Sequence, residues 1–248
     1  MSAPAPAARA TLAMTAMELR LTARRGENLL VTIVIPAAVL LFFASVAILP
    51  LPGRAVDFLL PGSLALAVIA TSLVNLGIAT GYERHYGVLK RLGGSPLTRP
   101  GLIAAKIAAV LAVEVAQAGL LFAIAVGLLG WRLPAGASLA MMAPALLLGT
   151  LAFAGIGLAM AGSLRAEATL ALANGLFLAF LLLGGIVLPI DHLPAPLAVV
   201  AAVLPASALA DLFRVALGSG GDAVAATAIL AVWGVGSVVL AARTFRWE

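Results

Sequence analysis

Few side chains in this chain could do chemistry, and they fall into two groups. The first is polar residues inside apolar runs: Asn75, Lys106, Glu114, Gln117 and Asn174. Glu114 and Gln117 are three apart and share a helical face. An ionisable group at membrane depth is a functional hypothesis by default. Glu114 could carry a proton or line a polar path. It could equally be a hydrogen-bonded acid that joins helices. Lys106 could take part in function or simply reach out to an interface. Asn75 and Asn174 suit hydrogen bonds between helices. The second group is the charged stretch Tyr82-Glu83-Arg84-His85-Tyr86, continuing to Leu89-Lys90-Arg91. Its chemistry is recognition, not bond breaking.

Enzyme readings fail on residue types. The histidines are His85 and His192, both in loops, so no crossing holds a Ser–His pair. No aspartate lies within an apolar run. No cluster has metal-ligand spacing, and there are no cysteines for thiolate sites. A phosphate loop needs lysine followed by Ser or Thr. Here Lys90 precedes Arg91 and Lys106 precedes Ile107. An ATP-driven activity would therefore need a second chain, and any ATP and magnesium would sit there.

The elements that hold these residues follow from composition. Hydrophobic residues make up 63% of the 248 and charged residues 10%, too few to cover a water-soluble globule. The expected class is an all-α integral membrane protein. A spanning helix needs about 20 apolar residues. Six runs qualify: 29–51, 58–81, 102–130, 139–163, 168–190 and 223–242. The stretch 193–210 is uncharged but carries Pro194, Pro196 and Pro205. Broken helices at membrane depth need other protein around them. It reads as an external re-entrant helical hairpin within 191–218.

Net charge is +5. In this class it reads as cationic loops that set orientation, with no nucleic-acid partner. Six crossings place twelve Lys and Arg on one side and only Arg54, Arg132 and Arg214 on the other. The positive-inside rule then puts both termini in the cytoplasm. A seventh crossing would move Arg243 and Arg246 outside. Residues 1–28 are expected to be a cytoplasmic segment and not a signal peptide. Within it, Ala10–Arg25 predicts an interfacial helix with a weak stripe of Leu12, Ala16, Leu19 and Ala23. Residues 29–248 would then form one permease domain.

The loop 81–100 is the most distinctive part. Tyr82, Tyr86, Leu89 and Leu92 recur at helical spacing, with Glu83, Arg84, Lys90 and Arg91 opposite. Gly93-Gly94 predicts a stop, and Ser95-Pro96 a helix start. Elsewhere, Pro36 predicts a kink. Gly184-Gly185 reads as a flexible point. Gly155, Ala159 and Ser163 form a small-residue face on crossing four. Trp131, Trp233 and Trp247 fit an aromatic belt.

Glu83-Arg84-His85-Tyr86-Gly87-Val88-Leu89-Lys90-Arg91-Leu92, then Ser95-Pro96-Leu97-Thr98-Arg99 and Lys106, resembles the signature of type-2 ABC exporter permeases. His85, Val88 and Lys90 depart from that pattern. Pro189–Pro194, Leu204-Pro205 and Asp211–Arg214 resemble the family's external segment. The resemblance implies six transmembrane helices and a dimer, homomeric or with a second permease. It implies a coupling helix after crossing two that docks on ATP-binding cassette ATPase subunits. Tyr82, Glu83, Arg84, Tyr86, Leu89 and Arg91 would carry that contact.

Two functions follow. One is the membrane subunit of an ATP-driven exporter in a bacterial cell membrane, moving hydrophobic or amphiphilic compounds such as drugs, antibiotics or lipids. The alternative is a carrier driven by an ion gradient, with Glu114 as its proton site. The loop helix favours the first, because a carrier has no need of it.

Overall fold

The computed structural model describes residues 6–24, 26–46, 53–95 and 97–244. Helix accounts for 83%, with no strand among the described residues. The order is α1 (Ala7–Arg24), α2 (Gly26–Ser45), α3 (Ala55–His85), α4 (Val88–Gly93), α5 (Arg99–Gly127), α6 (Leu139–Ser163), α7 (Ala166–Leu183), α8 (Ala195–Val203), α9 (Pro205–Ala216) and α10 (Ala223–Thr244). Helices α3, α5, α6, α7 and α10 are each long and apolar enough to cross a membrane. In α2 the described apolar stretch is Thr32–Ser45, with Pro36 inside the helix. The rest of the first expected crossing, to Leu51, lies outside the described residues except for Val46. So do Arg25, Pro96, Arg246 and Trp247.

Helix α3 is the centre of the bundle. Of its most apolar stretch 89% is buried, against 22% for α10. Lipid is as apolar as leucine, so burial alone does not drive such packing. Close approach does. Gly77 of α3 faces Gly157 of α6, and a Cβ on Gly157 would stand 2.8 Å from the Leu73 carbonyl. The expected small-residue face packs as well, but on another helix. Gly155 abuts Ser237 of α10, leaving no room for a side chain.

Midway along α3 the helix widens. Ile69–Asn75 form a π-helical segment. The Leu76 amide donates to the Thr71 carbonyl, five residues back. Such wide turns recur at functional places in helices.

The prolines of 193–210 act as helix starters. Pro196 lies in the first turn of α8 and Pro205 in that of α9, where their missing amides cost nothing. The two helices meet at 72°. Nine and twelve residues give about 14 and 18 Å, each short of a roughly 30 Å hydrocarbon core. Before them, α7 ends at Leu183, and Gly185 turns the chain with φ +62°.

Several local expectations change. The loop helix predicted over 81–92 is broken. Tyr82 to His85 complete α3, Gly87 takes φ +69°, and only Val88–Gly93 forms a separate helix. A left-handed glycine cannot continue a right-handed helix. The start signal sits later than Ser95-Pro96. Thr98 Oγ1 accepts from the Gly101 amide at 3.2 Å, and Pro100 lies in the first turn of α5. In α1 the stripe of Leu12, Ala16 and Ala23 is exposed, and Met14 and Glu18 face inward. The inward face follows a partner in α5 and not apolarity. Trp131 is buried against Phe122, with ring centres 5.8 Å apart, and does not face an interface. Trp233 is partly exposed and donates to the Val203 carbonyl of α8 at 3.0 Å.

Candidate functional site

Lys106 lies in the second turn of α5 and is 1% exposed. Its ammonium donates to Glu18 Oε1 of α1 at 2.6 Å and to Glu83 Oε2 of α3 at 2.7 Å. Charge-assisted bonds of this length are among the stronger ones. A buried charge is tolerated when it is paired and hydrogen-bonded. Three elements therefore meet at one point: the N-terminal helix, the end of α3 and the start of α5. A cavity of about 30 Å³, room for one water, lies beside it and touches Glu18, Thr71, Asn75 and Lys106.

The next residue is also fastened. Arg84 donates to the Gly162 carbonyl at 2.5 Å and to the Leu164 carbonyl. These carbonyls close α6, where a helix presents unpaired acceptors and negative dipole. Of the six residues expected to touch an ATPase, Glu83 and Arg84 thus bond within the chain. Leu89 is buried too, in the small core that includes Leu76, Leu97 and Leu102. Tyr86 and Arg91 are exposed. Tyr86 stacks on Tyr82 with centres 6.1 Å apart, and His85 meets it edge-on at 5.1 Å. The outer surface of this segment is aromatic and cationic. The inner surface fixes it to the bundle.

Deeper in, Gln117 links three helices. Its carbonyl oxygen accepts from Thr71 Oγ1 of α3 at 2.9 Å, and its amide donates to the Thr32 carbonyl of α2 at 3.1 Å. Glu114, one turn away, points elsewhere. It pairs with Thr150 Oγ1 of α6 at 2.5 Å. Its Oε1 is buried and has no partner among the described residues. The shared face of the two residues thus serves two different neighbours. Asn174 is exposed and its amide bonds within α7, to the Leu170 carbonyl at 3.0 Å, and not to another helix among the described residues. Asn75 and Asn174 both border a groove of about 400 Å³ between α2, α3 and α7, otherwise lined by residues such as Ile35, Val74, Ile78 and Phe177.

At the opposite end Arg214 of α9 is 8% exposed. It bonds Asp211 at 2.6 Å and the Gly185 carbonyl, and lies 4.3 Å from the centre of the Phe58 ring. One guanidinium therefore ties the α8–α9 segment to α3 and to the turn after α7. Arg54 makes a similar tie, donating to the Leu129 and Gly130 carbonyls at 3.1 and 3.0 Å.

Residue type and spacing single out Lys106, Glu83, Glu114 and Gln117 but not their partners Glu18, Thr71 and Thr150. Glu18 carried a signal, as an acid in a basic amphipathic helix. A threonine in an apolar run carries almost none, because it bonds its own helix as readily as another.

A chain whose described residues are mostly helical, with five long apolar helices among them and a centre held by buried polar joints, is a multi-pass membrane protein. Its sequence matches the ABC-2 type transporter family over residues 9–217, and the chain belongs to that family. The family consists of membrane subunits of transporters, generally without catalysis of their own, that normally work with ABC ATPase subunits. Among curated proteins none matches the chain significantly.

Proposed function

We propose that this chain is the permease subunit of an ATP-binding-cassette exporter. A separate ATPase binds at the Tyr82–Arg91 segment, and ATP and magnesium are held there. One observation carries the reading: an exposed aromatic and cationic surface, Tyr86 and Arg91, on a segment anchored inward by Glu83–Lys106 and Leu89. Such a segment can receive force outside and pass it to α3, α5 and α1 together. In this reading Glu83 and Arg84 transmit, and Tyr86 and Arg91 touch the partner.

The arrangement has six crossings, α2, α3, α5, α6, α7 and α10, with α8–α9 as an external re-entrant segment. Residues 1–28 lie on the inner leaflet, with Leu12 toward lipid, and 29–248 form the permease domain. Both termini are cytoplasmic by the positive-inside rule, and the membrane is the bacterial cell membrane. Two permeases pair. The cargo is hydrophobic or amphiphilic, with drug or antibiotic efflux as the role, because the groove at Asn75 and Asn174 is largely apolar.

A second reading, a carrier driven by an ion gradient, draws on the unpartnered Oε1 of Glu114. Purification in mild detergent separates the two. A stoichiometric ATPase that is lost with Tyr86→Asp or Arg91→Glu supports the exporter. A preparation of both variants and wild type without any ATPase supports the carrier.

A further inference from the structure

Helices α3 and α5 run antiparallel and are joined twice. One joint is Glu83 to Lys106 and the other is Thr71 to Gln117. Between the joints α5 advances eleven residues and α3 advances twelve. At about 100° per residue, eleven residues return to within about 20° of the same face. Twelve overshoot it by about 120°. An unbroken α-helix could not present both Thr71 and Glu83 to α5. The π-helical Ile69–Asn75 resolves this, because each i to i+5 bond encloses one more residue than an α bond. The wide turn absorbs the extra residue within the interval that needs it, from Thr71 to Leu76.

The stored residue has a second place to go. If the wide turn tightens while Thr71 stays on Gln117, the lower part of α3 rotates by about 100° and advances by about 1.5 Å. Glu83 then leaves Lys106, which keeps Glu18. Tyr82 takes the place of Glu83, and Arg84 leaves the carbonyls of α6. The exposed segment at Tyr86 moves with it.

We propose that α3 changes register by one residue during transport, with the π turn as the store and Thr71–Gln117 as the fixed pivot. Thr71 and Gln117 are positioning residues in this scheme. The proposal rests on the ATP-driven reading above.

The chain has no cysteine, so single reporters are clean. Ile78→Cys and Ala79→Cys sit on the partly open side of α3, and Leu120→Cys on α5 is a control. Each is labelled with a maleimide in membranes holding the full permease and its ATPase, with and without Mg-ATP and vanadate. Labelling at 79 should fall by about threefold or more as it takes the buried place of Thr80, while 78 moves to the partly open place of Ala79 and, like Leu120→Cys, stays near its nucleotide-free level. Deleting Ser72 removes the extra residue. That variant should keep both joints on the present face and label as the nucleotide-free state does under both conditions. A complex that hydrolyses ATP with unchanged labelling at 79, or one in which 78 and 79 fall together, overturns the register change. So does a Ser72 deletion that still responds to nucleotide. If the deleted chain does not accumulate, the reporters in the full-length chain decide alone. A chain that brings no ATPase overturns the function proposed above, and this inference with it.

Discussion

The ammonium of Lys106 donates to Glu83 Oε2 at 2.7 Å, joining the second turn of α5 to the last turn of α3. Glu18 shares the same ammonium, so a single lysine holds two carboxylates from different helices. The loop that follows Glu83 is thereby attached to the bundle at its root.

Lys106→Met removes the cation and leaves two buried carboxylates facing each other. Breaking a buried pair on one side typically costs about 3–5 kcal/mol. A clear fall in the detergent melting temperature is expected. Adding Glu18→Gln and Glu83→Gln to Lys106→Met should recover part of the loss. A melting temperature unchanged by Lys106→Met would contradict the joint.

Arg84→Lys tests geometry rather than charge. The guanidinium reaches the Gly162 and Leu164 carbonyls together. A lysine is a point donor and cannot reproduce that fork. Arg84→Lys and Arg84→Ala should both destabilise, by about 1 kcal/mol or more, since part-buried acceptors lose their forked donor. Full rescue by lysine, measured as melting temperature, would show that only the charge matters.

Glu114 separates the two functional readings. Gln at this position keeps a polar partner for Thr150 Oγ1. Glu114→Gln should leave ATP-driven export near the unaltered level, and Glu114→Ala should lower the melting temperature by removing the bond between α5 and α6. A proton-driven flux abolished by Glu114→Gln in proteoliposomes would instead favour the carrier.

Gly157→Ala probes the contact between α3 and α6. The added methyl would stand 2.8 Å from the Leu73 carbonyl, a backbone atom that cannot swing aside. Overpacking of this kind costs about 1–3 kcal/mol. Gly119→Ala, where nothing lies within 4 Å of the new methyl, serves as the control and should be neutral or slightly stabilising, as alanine favours helix. Equal melting temperatures for the two variants would mean that the helices can move apart freely.

Much of this protein is legible one residue after another. Apolar runs of membrane length and the prolines of 193–210 depend on local composition, which the chain carries in plain order. The expected 81–92 helix shows the limit. Tyr82, Tyr86, Leu89 and Leu92 have helical spacing, but one left-handed glycine at position 87 divides them between two helices. Periodicity does not register a change of backbone hand.

The sequence by itself determined the class: an apolar, cysteine-free chain with too few charges for water must place its helices in lipid. It also marked Lys106 and Glu114 as costly inside apolar runs, and Glu83 as part of a recognition loop. Only the tertiary structure decided their partners. Glu18 is 88 residues from Lys106, and Thr71 is 46 from Gln117. Such pairings depend on which helices lie side by side and at what rotation. In α3 that rotation turns on one extra residue held in a wide turn, a feature without any signature in residue type.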